Sequence, residues 1–138
     1  MTKVSVIICC YTMERLSDIH EAVNSVLNQT LKPYEVILAV DHNEELYKKL
    51  METYSDSIEI CRSSANLNEC PNLQSLVPDP QSPVSVVLVL NTSVQGLSET
   101  RNVGIRASSG DIVAFIDDDA VAEPDWLENL VPPFLYPQ

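Results

Sequence analysis

The sequence predicts an α/β protein built on an open, doubly wound, mostly parallel sheet with helices on both faces. Four short runs, Val4–Cys10, Val36–Val40, Val84–Leu90 and Ile112–Ile116, are rich in Val and Ile and nearly continuous rather than alternating. Strands buried on both faces read this way, as in a parallel sheet covered by helices. Segments with helical spacing separate the runs, and the resulting order β-α-β-α-β-α-β-α calls for crossover connections. At 138 residues the chain has the length of one domain, residues 1–138, able to bury about two-thirds of its unfolded surface.

The elements follow in order. After the first strand, Leu16, Ile19, Val23, Val26 and Leu27 form an apolar stripe at three- and four-residue steps, and Pro33 closes that helix. The second strand leads into Asn43–Tyr54, where Leu46, Leu50, Met51 and Tyr54 share one face and Glu and Lys the other. A short strand at Ile58–Cys61 is expected within the stretch 57–83, whose Pro, Asn and Ser content otherwise reads as a long loop. The third strand precedes a helix over Ser98–Ser109, with Ser98 as its cap and Gly110 at the left-handed position past its end. The fourth strand precedes a helix over Pro124–Leu130, opened by its proline.

Composition narrows the function classes. Hydrophobic residues at 45% and charged residues at 20% exclude a disordered or fibrous chain. Eight basic against 20 acidic residues give a net charge of −12, which repels phosphate backbones and argues against a nucleic-acid partner. No apolar run approaches the ~20 residues of a membrane span. The first residues enter a strand without a signal-peptide layout, so a cytoplasmic protein is expected. Cys9, Cys10, Cys61 and Cys70 form no C-x-x-C pair and read as reduced structural thiols. Asn28-Gln29-Thr30 and Asn91-Thr92-Ser93 carry no meaning as glycosylation sites in such a location.

In a doubly wound sheet, ligands bind beyond the C-terminal strand ends. The residues there are Tyr11-Thr12, Asp41-His42-Asn43, Asn91 and Asp117-Asp118-Asp119. Neither G-x-G-x-x-G nor G-x-x-x-x-G-K-[ST] occurs, which removes dinucleotide and P-loop chemistry. Three adjacent carboxylates repel one another unless a cation or hydrogen bonds offset the cost. Two readings are open at this point, a solvated acidic turn or a hard-oxygen site for Mg²⁺ or Mn²⁺ completed by phosphate oxygens. A dehalogenase-type phosphatase shares the D-x-D-x-[TV] wording, but too few residues follow Val121 for its later motifs. A nucleotidyltransferase would want a Gly-rich, Lys-bearing loop where Cys10-Tyr11-Thr12-Met13 stands.

Three segments carry a resemblance. Val4–Thr12 is similar to the opening strand V-S-V-I-I-P-T-Y-N of family-2 glycosyltransferases of the GT-A fold. Gly96–Ile105 resembles their G-L-S-x-A-R-N-x-G-I segment, and Ser109–Asp119 their G-x-I-V-A-F-L-D-x-D run. Met13-Glu14-Arg15 and Asp117–Val121 resemble archaeal members that build lipid-linked glycans. Cys9-Cys10 stands in place of Pro-Thr, and Thr12 in place of Asn. The resemblance implies a Rossmann-like donor-binding half that takes a nucleotide-diphosphate sugar, most simply a UDP-sugar, through Mg²⁺ or Mn²⁺ for inverting transfer to an acceptor hydroxyl. It implies that Tyr11 and the backbone at Cys10 wall the base pocket, that Asp41 accepts from a uracil-type ring N–H, and that Arg101 faces a base carbonyl. It further implies substrate contact from Asp117 and Asp118 and metal ligation by Asp117 and Asp119. The catalytic base and the acceptor half are then expected after Gln138, and a membrane-associated, lipid-linked acceptor at the cytoplasmic face is implied. Without further strands the Ile112–Ile116 strand becomes an edge. With the apolar Leu130–Tyr136 tail, it leads to an expectation of homodimerisation. His20 and His42 read as surface or cap residues, and Trp126 as packing.

Overall fold

The computed structural model describes residues 2–54, 58–59 and 84–135. Five strands form one sheet in the order β3-β4-β2-β1-β5, and every pairing is parallel. They are β1 (Val4–Cys10), β2 (Glu35–Asp41), β3 (Ile58–Glu59), β4 (Ser85–Asn91) and β5 (Ile112–Asp117). The helices are a 3₁₀ turn at Met13–Arg15, α1 (Leu16–Leu27), α2 (Glu44–Thr53), α3 (Leu97–Ala107), α4 (Trp126–Leu130) and α5 (Pro132–Leu135). The doubly wound class is thus confirmed. The long loop expected over 57–83 falls outside the described residues except for β3, as do Cys61 and Cys70.

Strand pleating sorts the side chains into two cores. Val4, Val6, Ile8 and Cys10 of β1 join Val36, Leu38 and Val40 of β2 under α1, α2 and α4, with Ile19, Val23, Leu46, Leu50 and Leu127 fully buried. Ile7, Ile37, Ala39, Val87 and Val89 face the other way and pack on Val103 of α3. Helices therefore cover both faces, which is why the strands are apolar on both.

Opposite ends of the α3-facing surface are polar. At the N-terminal end Ser5 Oγ donates to buried Glu35 Oε2 (2.6 Å), Ser109 N–H donates to the same oxygen (2.6 Å), and Gly110 N–H donates to Ser5 Oγ (2.9 Å). This network ties β1, β2 and the turn into β5 together.

Three local expectations need correction. Ser98 lies inside α3, whose N-cap is Gly96, and no side chain caps the helix. Helix α3 ends at Ala107 and Gly110 does not take the left-handed conformation. Gly110 is there for closeness, because a Cβ would sit 2.5 Å from Ser5 Oγ and 2.8 Å from both Lys3 O and Ser5 N. The helix expected from Pro124 begins at Trp126, because Gln29 holds the preceding turn. Gln29 Nε2 donates to Glu123 O (2.6 Å), and its Oε1 accepts from Leu127 N–H (2.9 Å). The tail is partly anchored: Val131 is buried with the first core, whereas Leu130 and Phe134 are exposed. Among the described strands β5 does lie at an edge.

Candidate functional site

A cleft of about 530 Å³ opens beyond the C-terminal ends of β1, β2 and β5. Strand register builds it, since Cys9 is level with Asp117 and Asp41 with Asn91. Pleating sends Asp41, Asn91, Phe115 and Asp117 to the same face as Cys9. All seven residues expected at the site, Cys10, Tyr11, Asp41, Arg101, Asp117, Asp118 and Asp119, line this cleft.

Their side chains differ in what they can do. Asp41 Oδ1 accepts from His42 Nδ1 (2.7 Å) and Asn91 Nδ2 (3.2 Å), and Oδ2 accepts from Gly96 N–H (3.0 Å). A carboxylate has about four acceptor sites, so one remains, on Oδ2. Gly96 reaches Asp41 with φ +137°, a conformation that side chains disfavour. Buried Thr100 closes the same corner by donating from Oγ1 to Gly96 O (2.7 Å). Arg101 makes no ion pair or hydrogen bond among the described residues and lies 5.7 Å over the Phe115 ring. Glu99 pairs instead with Arg106, two turns along the helix on the exposed side. Tyr11 is exposed, and its carbonyl is held by Asn43 Nδ2 (3.1 Å).

The acidic triplet is divided. Asp117 and Asp119 are exposed, while Asp118 is turned inward and buried, so it does not offer itself to a substrate as expected. Asp118 Oδ1 accepts from Arg15 Nη1 (3.0 Å), and its Oδ2 is buried without a hydrogen-bond partner. Burial pushes the Asp118 carboxyl above its usual range, and the Arg15 hydrogen bond opposes that rise. Among the described residues no cluster of three or more His, Cys, Asp or Glu is placed to hold a metal ion. Asp117 and Asp119 nonetheless fit Mg²⁺ or Mn²⁺, because such an ion takes one or two carboxylates and completes its shell with phosphate oxygens and water.

Burial governs both thiols of β1. Burial pushes Cys9 up to about 11, against the pull of the Arg101 charge, and drives Cys10 well above the usual range. Cys10 points into the α1-side core, so only its backbone can serve a ligand; it is Cys9 that shares the face of Asp41. Both are free.

Sequence reasoning missed Arg15, whose partner is distant in the chain, and the hydrogen bond that His42 gives Asp41. His42 adopts φ +52°, and the Asp41 hydrogen bond raises its pKa above the usual imidazole value. The signal that could have found it is adjacency to a strand-end carboxylate.

Ligands of open parallel sheets bind in a cleft of this kind at the carboxyl ends of the strands, and the chain matches the profile of "Glycosyl transferase family 2" over residues 5–138. The chain belongs to glycosyl transferase family 2. It is 39% identical over 129 residues to the glucosyl-dolichyl phosphate glucuronosyltransferase of Haloferax volcanii, covering 94% of this chain and 33% of that protein. Its fold is shared with S. aureus TarS in complex with UDP-GlcNAc (TM-score 0.61, 22% identity, 94% of this chain and 30% of that one). It is shared too with the mannosyltransferase PcManGT of Pyrobaculum calidifontis in complex with GDP-Man and Mn²⁺ (TM-score 0.61, 18% identity, 91% and 32%). The chain therefore has the Rossmann-like α/β fold of these GT-A glycosyltransferases, and it spans about a third of the length of the relatives it matches.

Proposed function

We propose that this family-2 domain is the donor-binding half of an inverting, metal-dependent glycosyltransferase that takes a uridine diphosphate sugar. The observation that carries the reading is the Asp41 carboxylate, with three acceptor sites filled and one left at the cleft. An acceptor-only group suits the ring N–H of uracil or guanine and opposes cytosine, whose ring nitrogen is itself an acceptor. Tyr11 walls the base, and Arg101 offers N–H donors to a base carbonyl. Asp117 and Asp119 hold Mg²⁺ or Mn²⁺, which when bound offsets the charge of the diphosphate leaving group. Transfer forms a bond from the acceptor oxygen to the anomeric carbon and breaks the bond to the diphosphate, while a carboxylate base outside residues 1–138 takes the hydroxyl proton. The name of the H. volcanii relative supports a polyprenyl-phosphate-linked acceptor and a glucuronosyl donor, which would place the reaction at a membrane surface. No helix among the described residues is long and apolar enough to cross a membrane.

Calorimetric titration with UDP, GDP, CDP and UDP-glucuronate tests the base and sugar assignments. UDP is expected to bind more tightly than CDP. Asp41→Ala and Arg101→Ala are each expected to cost about 1.5–3 kcal/mol, the worth of a hydrogen bond to a charged group, with circular dichroism unchanged. Wild-type affinity in both variants would place the base elsewhere.

A further inference from the structure

We propose that Arg15 is a positioning residue of the donor site, whose ion pair with buried Asp118 sets the acidic turn so that Asp117 and Asp119 present their carboxylates to the cleft. The inference rests on the metal-dependent donor reading above and adds to it a residue outside the acidic turn.

The geometry gives three reasons. Arg15 ends the 3₁₀ turn that follows β1, and Thr12 Oγ1 fixes the start of that turn by accepting from Glu14 N–H (3.2 Å). From there the guanidinium reaches across the mouth of the cleft to Asp118 Oδ1 at 3.0 Å and lies 3.9 Å from Asp119 Oδ2. It also lies 5.4 Å over the Tyr11 ring, so the side chain is held by ring and carboxylate together. Second, the Asp118 side chain is only 5% exposed and its Oδ2 has no partner, whereas the Arg15 side chain is 38% exposed. A carboxylate buried between two others would turn outward unless a cation faces it. Arg15 is the group that meets this carboxylate; among the described residues no other cation pairs with the triplet. Third, strand pleating puts Asp117 on the α3 face beside Cys9, the Arg15 pair holds Asp118 inward directly after the strand end, and Asp119 stays exposed.

A purely structural Arg15 would matter to stability alone, and two variants separate the roles. Arg15→Ala leaves Asp118 buried and unpaired. The double variant Arg15→Ala/Asp118→Asn removes the pair without stranding a charge. Thermal denaturation in EDTA and the UDP dissociation constant, measured in Mn²⁺ and again in EDTA, are the readouts. Arg15→Ala is expected to melt lower than wild type, and the double variant to recover most of that loss. Both are expected to lose at least tenfold of the gain that Mn²⁺ brings, read as the ratio of each variant's UDP dissociation constants in EDTA and in Mn²⁺. If Arg15→Ala does not fold, the double variant carries the test alone. A double variant of wild-type stability that keeps the full Mn²⁺ gain overturns the positioning role and leaves the donor reading intact. A wild type without any Mn²⁺ gain overturns the metal reading and this inference with it.

Discussion

Asp119→Ala is expected to abolish the part of UDP affinity that depends on Mg²⁺ or Mn²⁺. Only Asp117 and Asp119 of the triplet are exposed, since Asp118 is buried against Arg15. A site with two carboxylates relies on each of them far more than a full protein cage does. Removing even an outer partner of a metal ligand costs about 10–100-fold in metal affinity, and a direct ligand costs at least as much. Titration of UDP in Mn²⁺ and in EDTA reads the effect as a merging of the two curves in the variant. The fold is not expected to suffer, because the Asp119 side chain is half exposed and loses only a long contact to Arg15 at 3.9 Å. A variant with the wild-type Mn²⁺ gain would remove Asp119 from the metal site.

Gly110→Ala is expected to carry the largest stability loss. Its new Cβ would meet Ser5 Oγ at 2.5 Å and two backbone atoms at 2.8 Å, and backbone cannot swing aside as a long side chain can. The collision falls on the hydroxyl that links Gly110 N–H to the buried Glu35 carboxylate, so relief of the clash disturbs a buried polar network. Overpacking of this kind costs about 1–3 kcal/mol, and we expect the upper end. For a domain of this size that is a fall in Tm of about 10 °C, measured by circular dichroism. A change under about 2 °C would mean that β1 and the turn into β5 are less tightly joined than the distances show. UDP binding by the folded fraction is expected to persist, because Gly110 lies at the opposite end of the strands from the cleft.

These two expectations separate what the sequence could show from what it could not. Strands β1, β2 and β4 were legible because both of their faces are buried, which leaves runs such as Val36–Val40 without polar interruption, and β5 was legible from its apolar run Ile112–Ile116. Asp41 and the acidic triplet were legible as strand-end residues. Strand order was not, since nothing local places β4 beside β2. Gly110 was misread because a glycine shortly after a helix has two uses, a left-handed cap or a close approach, and only the position of Lys3 and Ser5 decides between them. The Arg15–Asp118 pair joins residues 103 positions apart, so no spacing rule finds it. The inward turn of Asp118 follows from that pair and was equally hidden. The thiols Cys9 and Cys10 look equivalent in sequence, yet pleating sends them to opposite faces of the sheet.

The central claim is that a nucleoside diphosphate sits in the cleft at the C-terminal strand ends. Hydrogen–deuterium exchange with and without UDP and Mn²⁺ tests it most directly. Protection is expected at Cys10–Arg15, at Asp41–Asn43, at Gly96–Arg101 and at Asp117–Asp119, with no change at Ser5, Glu35 or Gly110. Protection confined to those N-terminal strand ends, or none at saturating UDP, would contradict the account.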